Sequence, residues 1–212
     1  MVELTRTGDV FVLNLGDTEN RFNRTSLDAI SDAIDTVEVS VGAAALVTTG
    51  TGKFFSNGLD LDWLGTRTED VGGFIADVHA LLFRVLRLDV ITVAAINGHA
   101  FAGGAMLACA HDFAIMREDR GYWCLPEVDL GLPLTPEMYT VVAARVHGAA
   151  LSDAILTGRR YSAAEALAAG IVTATAPGDR VLARAIELAA GLAAKNRTVI
   201  AAHKQLLYPP PS

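Results

Sequence analysis

The chain has 212 residues, a net charge of −7, and 51% hydrophobic against 19% charged residues. That length suits one domain with a substantial core, and the low charge density excludes an intrinsically disordered chain. No basic run marks a nucleic-acid surface, and the longest clean apolar run, Ala100 to Ala110, is too short to cross a bilayer.

The N-terminus holds no signal-peptide apolar stretch, and Pro210-Pro211-Ser212 is not a peroxisomal tripeptide. Cys109 and Cys124 lie in apolar surroundings without metal-ligand spacing. They read as buried thiols of a reducing compartment, so a cytoplasmic location is expected.

In chain order, Val10 to Leu15 is β-rich and Asp17 to Asn23 is a polar connection. Ser26 to Val37 repeats apolar residues at Leu27, Ile30, Ala33, Ile34 and Val37. That spacing predicts a helix, with Thr25 or Ser26 as its N-cap. Ala43 to Thr48 reads as a buried strand, ended by Thr49-Gly50-Thr51-Gly52. Phe54 to Leu61 reads as a loop turning into a short helix. Val71 to Leu88 is a longer amphipathic helix, with apolar residues at Phe74, Val78, Leu81, Leu82, Val85 and Leu86, and Val90 to Ile96 a second buried strand. Asn97-Gly98-His99 is a turn. A helix runs from Ala102-Gly103-Gly104 to about Ala110, Asp112 to Met116 is a third strand, and Trp123-Cys124-Leu125 is a short fourth.

This alternation indicates α/β layers with parallel strands. After about Thr135 helical patterns dominate: Glu137 to Val146, Ala149 to Leu156, Ala163 to Ala169 and Arg180 to Ala194. We therefore expect an α/β core over residues 1–135 and a helical segment over residues 136–212.

Three loops after predicted strands carry unusual small or polar residues, the position where open α/β sheets bind ligands. They are Ser56-Asn57-Gly58-Leu59-Asp60, Asn97 to Gly104, and Leu125 to Leu132. Gly103-Gly104 is either a close-packing turn or a helix start whose free N–H groups hold an oxyanion. Glu127, just after Pro126, is either a first-turn acid favoured by the helix dipole or a buried carboxylate usable as a general base. His99 and His111 read as turn or edge histidines, with no metal-ligand partners. Asp60, Asp112 and Asp129 read as turn or capping carboxylates.

These three loops, in this order, resemble those of the enoyl-CoA hydratase/isomerase superfamily, the crotonase fold. The matching runs are Lys53 to Leu61, Ala94 to Gly104 and Leu125 to Leu132, supported by Leu156 to Ala166 with Gly170-Ile171-Val172. Glu19-Asn20-Arg21-Phe22-Asn23 and the run from Glu127 to Leu132 look most like the Δ3,Δ2-enoyl-CoA isomerase branch. The resemblance implies an α/β spiral of ββα units with a C-terminal helical segment used for packing and oligomerisation. It implies an acyl-CoA substrate, a homotrimer or dimer of trimers, and neither nucleic acid nor membrane as partner. No cofactor is expected, since coenzyme A is part of the substrate.

By motif position, the N–H groups of Leu59 and Gly103 would form the oxyanion hole. Asn20, Arg21, Phe22, Ser56, Asn57, Gly58, Asp60, Leu61, Gly104, Met106 and Leu132 would contact substrate. The family's hydratases use two glutamates. Here the first position is Met106, and only the second survives, as Glu127. Hydration needs a water managed by both carboxylates, whereas moving a double bond needs one base. The resemblance therefore implies an isomerase with Glu127 as its single proton shuttle. A hydratase, hydrolase or decarboxylase is the alternative, with Glu137 near the acyl pocket, and a non-catalytic acyl-CoA-binding protein is another. Two further departures are Ala102, at the first position of the family's glycine run, and a chain ending soon after Tyr208, where relatives often continue with another helix.

Overall fold

The computed structural model describes residues 1–66 and 71–209. Pro210, Pro211 and Ser212, read above for a targeting signal, lie outside the described residues. Among the described residues no helix is long and apolar enough to cross a membrane.

The chain begins with an antiparallel hairpin, β1 (Glu3–Thr7) and β2 (Val10–Asn14). Helix α1 (Arg24–Glu38) follows. Its N-cap is Asn23 rather than Thr25 or Ser26. The Asn23 side chain accepts from the Ser26 amide at 3.1 Å, and the Ser26 hydroxyl accepts from the Asn23 amide at 3.0 Å. Ser26 is thus the third helical residue of a reciprocal capping box. All five apolar positions read from the spacing are buried.

Three ββα turns come next. The first has β3 (Ala45–Thr49), β4 (Phe54–Ser56), α2 (Leu61–Gly65) and α3 (Val71–Arg87). The second has β5 (Ile91–Ile96), β6 (His99–Phe101) and α4 (Gly103–Cys109). The third has β7 (Phe113–Arg117), β8 (Trp123–Cys124), a 3-10 turn (Pro126–Val128) and α5 (Pro136–Ala143). In each turn the first strand joins a large sheet and the second a small one. The large sheet runs β1-β2-β3-β5-β7-β9 and is parallel from β2 onward; the small one runs β4-β6-β8 and is parallel throughout.

The sequence reading missed β1, β4 and β6 as strands. His99 stands in β6, the central strand of the small sheet, so it is neither a turn nor an edge histidine. His111 does sit in the turn after α4, but it is buried, with its ring nitrogens bonded to the Leu107 carbonyl and the Thr48 hydroxyl. The two cysteines are free and buried.

Alternate residues of the large sheet face opposite layers. Val10, Val12, Ala45, Val47, Val93, Ala95 and Ile115 pack with α8 (Val181–Leu192). Phe11, Leu13, Leu46, Ala94 and Ile96 face the main core, which includes α1, α3 and α4.

Helices α6 (Gly148–Thr157) and α7 (Ala163–Ala168) fall where the periodicity places them. The remainder of the C-terminal segment is not purely helical. Strand β9 (Ala174–Ala176) pairs with β7 and extends the large sheet. A last helix, α9 (Arg197–Leu207), also escaped the sequence reading. Its buried Lys204 ammonium lies 2.7 Å from Asp112 and donates to the Val90 carbonyl at 2.9 Å. Burial lowers the Lys204 pKa, and Asp112 opposes that shift. Breaking one partner of such a pair costs about 3–5 kcal/mol, because it strands a buried charge.

Candidate active site

The three strands of the small sheet are parallel, so their C-terminal ends lie along one edge. Each end runs directly into one of the loops singled out above: Ser56 into Asn57 to Asp60, Phe101 into Ala102 to Gly104, and Cys124 into Leu125 to Leu132. The site is therefore built from successive turns of the same ββα unit.

Close backbone approach holds the first two loops together. A Cβ on Gly104 would stand 2.2 Å from the Ser56 carbonyl oxygen, so only glycine fits there. Gly58, at φ +75°, lies against Gly103 in the same way. The Gly58 carbonyl accepts from the Phe22 amide and the Phe22 carbonyl accepts from the Asp60 amide, at 2.7 and 3.0 Å. That pairing turns the Leu59 N–H away from Phe22. Gly103 is the first residue of α4, whose N–H has no intrahelical acceptor. Among the described residues neither amide donates a hydrogen bond.

Ala102 precedes Gly103 with φ 50° and ψ −123°, a conformation that glycine adopts freely and alanine rarely does. Its own N–H donates to the Cys124 carbonyl at 3.1 Å. This bond ties the start of α4 to β8, three residues before Glu127.

Glu127 lies in the first turn of the 3-10 helix and is 9% exposed. Its carbonyl accepts from the Leu132 amide at 2.9 Å, which folds the following loop back over it. Its Oε2 is buried and has no hydrogen-bond partner among the described residues. Desolvation pushes its pKa up to about 7. A carboxylate so placed can take or give a proton near neutrality.

A cavity of about 390 Å³ opens beside it. Of the residues expected in the site, Arg21, Asn57, Leu59, Leu61, Gly103, Met106, Glu127 and Leu132 line it. Met106, one turn into α4, is buried. Asn20, Phe22, Ser56, Gly58, Asp60 and Gly104 are not in the lining. Asn20, also at φ 50°, donates to the carbonyls of Gly16, Phe54 and Phe55, and Ser56 donates to the Asn20 carbonyl at 2.8 Å. Asp60 caps α2 through the Trp63 amide, and Phe22 packs beneath Gly103. Arg21 is bracketed by Glu19 at 2.5 Å, Asp62 at 3.1 Å and Asp60 at 3.8 Å.

Phe101 and Leu130, from the loops singled out above, also line it. Sequence reasoning missed Asp62 from α2, Val78, His79 and Leu82 from α3, Pro133, and Met138 from α5. The α3 spacing marked Val78 and Leu82 only as core. Nothing in the sequence brings His79 to the cavity. Glu137 does not line it, but its carboxylate lies 3.9 Å from the His79 ring.

A family model for enoyl-CoA hydratase/isomerase matches residues 6–209. Enoyl-CoA delta isomerase 3 of Arabidopsis thaliana is 37% identical, over 99% of this chain and 92% of that protein. A putative enoyl-CoA hydratase of Thermus thermophilus is 38% identical, over 98% of this chain and 83% of that protein. A probable enoyl-CoA hydratase of Mycobacterium tuberculosis superposes with a TM-score of 0.90 at 28% identity, covering 97% of this chain and 87% of that one. A second, apo structure of the same mycobacterial protein is described as an enoyl-CoA isomerase.

Proposed function

The chain belongs to the enoyl-CoA hydratase/isomerase family and has the crotonase fold, and we propose that it is a Δ3,Δ2-enoyl-CoA isomerase. The observation that carries this reading is the one buried carboxylate of the cavity wall, Glu127, in a cavity also lined by the two free amides; Asp62, the other carboxylate in the wall, is exposed at its outer end. Glu127 and Met106 both line the cavity, and by the family resemblance Met106 stands at the first of the two glutamate positions of a hydratase, Glu127 at the second. The names of the plant relatives agree with this reading, and that of the Thermus relative leaves hydration as the competitor.

In the proposed reaction the thioester oxygen of a 3-enoyl-CoA accepts from the N–H groups of Leu59 and Gly103. The Glu127 carboxylate takes a proton from carbon 2. The electron pair left behind delocalises over the thioester and the 3,4 double bond as a dienolate. Charge on the oxygen is stabilised by the two fixed dipoles, which act strongly in a water-poor site. Glu127, now protonated, returns the same proton to carbon 4, giving the conjugated 2-enoyl-CoA. A pKa near 7 suits both transfers, since the group must act as base and then as acid. Met106 keeps the cavity apolar and offers no second base to activate water.

The test is a paired assay of 3-hexenoyl-CoA and crotonyl-CoA. Isomerisation of the first without hydration of the second supports the assignment. Hydration of crotonyl-CoA at a comparable rate overturns it.

A further inference from the structure

The cavity has two unlike ends. Arg21 and Asp62 line it and also line a second, open groove with Glu19, Asn23 and Trp63, so this end faces outward and is charged. Elsewhere the wall comes from α3 and α5, which pack on each other and on α4. Val78, Leu82, Met138, Leu130 and Pro133 make that wall apolar. His79 is its polar member.

The imidazole is held in place. Its side chain is 12% exposed. Nε2 lies 3.4 Å from the Thr135 hydroxyl, and Nδ1 lies 3.9 Å from the Glu137 carboxylate. Thr135 caps α5 and Glu137 lies in its first turn, so both braces come from one rigid element. The Glu137 side chain is 39% exposed. His79 thus stands between an apolar cavity on one side and a solvent-facing carboxylate on the other. Desolvation lowers its pKa and Glu137 opposes that, so burial against the cavity favours the neutral ring.

We propose that His79, braced by Thr135 and Glu137, is the specificity-determining cap of the acyl pocket, which limits the length of acyl chain the protein accepts. The proposal rests on the acyl-CoA reading above. An acyl chain running from the free amides along α3 and α5 would meet the imidazole. Further methylenes would have to displace His79 or stay in water. Removing the imidazole joins the cavity to the solvent beside Glu137 and lets a longer chain through.

The experiment measures binding of a series of saturated acyl-CoAs, butyryl to palmitoyl, by calorimetry. Each methylene moved from water to an apolar wall strengthens binding about fourfold. In the wild-type protein the affinity should rise by that factor until the chain reaches His79, then stay level. His79→Ala should move the plateau to longer chains, and His79→Phe, which refills the space, should restore it. Glu137→Ala, at an exposed position, should extend it part of the way by freeing the ring, and keeps the test alive if His79→Ala does not fold. A plateau at the same chain length in wild type, His79→Ala and Glu137→Ala overturns the proposal. These measurements involve no turnover, so a protein that shows the shift yet fails to isomerise 3-hexenoyl-CoA keeps the cap and loses the isomerase assignment. Failure of the wild type to bind any acyl-CoA overturns both.

Discussion

A Cβ built on Gly58 would stand 2.8 Å from the Gly103 amide nitrogen, closer than real Cβ contacts come. The two residues belong to different ββα turns, and the Leu59 N–H leaves the same corner. Gly58→Ala should push the loops apart and misalign the proposed oxyanion donors. We expect kcat on 3-hexenoyl-CoA to fall about 10²–10³-fold, the cost of losing one such donor. An undiminished kcat would remove these amides from the mechanism.

Glu127→Gln keeps the shape of the side chain and removes the carboxylate that accepts the proton. The expected loss in kcat is about 10²–10⁴-fold, typical of a missing general base. Circular dichroism should be unchanged.

The pH dependence has a definite sign in both activity and stability. Glu127 must start as the anion, so kcat/KM should be level above about pH 7 and fall as the pH drops through it. For stability, its folded pKa is raised from 4.5 to about 7, so between these values the native state binds more protons than the unfolded chain. Stability from this group is full below pH 4.5 and lost as the pH rises to 7, by on the order of 3 kcal/mol. Glu127→Gln should therefore gain on wild type in urea melts at pH 8 relative to pH 4.

Ala102 holds a backbone conformation that costs a side-chain-bearing residue about 1–3 kcal/mol. Glycine relieves this but is more flexible when unfolded, at about 0.4–1 kcal/mol. Ala102→Gly should stabilise the protein by about 1 kcal/mol net, a rise in Tm of about 2–4 °C. A lower Tm would show that the methyl packs usefully against Gly58.

Met106→Glu places a second glutamate on the cavity wall. Two such groups in one site cannot both ionise easily, so one pKa should rise further. Isomerase turnover should fall, and slow hydration of crotonyl-CoA should appear in a product assay.

Long periodic elements were legible in the sequence. In α3 the six buried positions are Phe74, Val78, Leu81, Leu82, Val85 and Leu86, and the spacing marked each of them. The three-residue strands escaped, because no period fits into Phe54–Ser56 or Ala174–Ala176, and Ala-Thr-Ala has little β character. Helix α9 hid because Lys204 is its buried residue, an anchor that looks like a surface charge until Asp112 is known to face it. In the site, Glu127, Leu59, Gly103 and Met106 were reachable through loop motifs. His79 was not, because only the packing of α3 on α5 brings it to the cavity.

The bond from the Ala102 N–H to the Cys124 carbonyl links main chain to main chain. It joins the residue before one proposed oxyanion donor to the strand that delivers Glu127. The distance between acid–base group and anion site is thus set by sheet geometry, with no side chain in the linkage. Side-chain substitutions around the pocket can change which molecule enters while leaving that distance alone. Proline at position 102, or an inserted residue in either loop, would strike the chemistry itself.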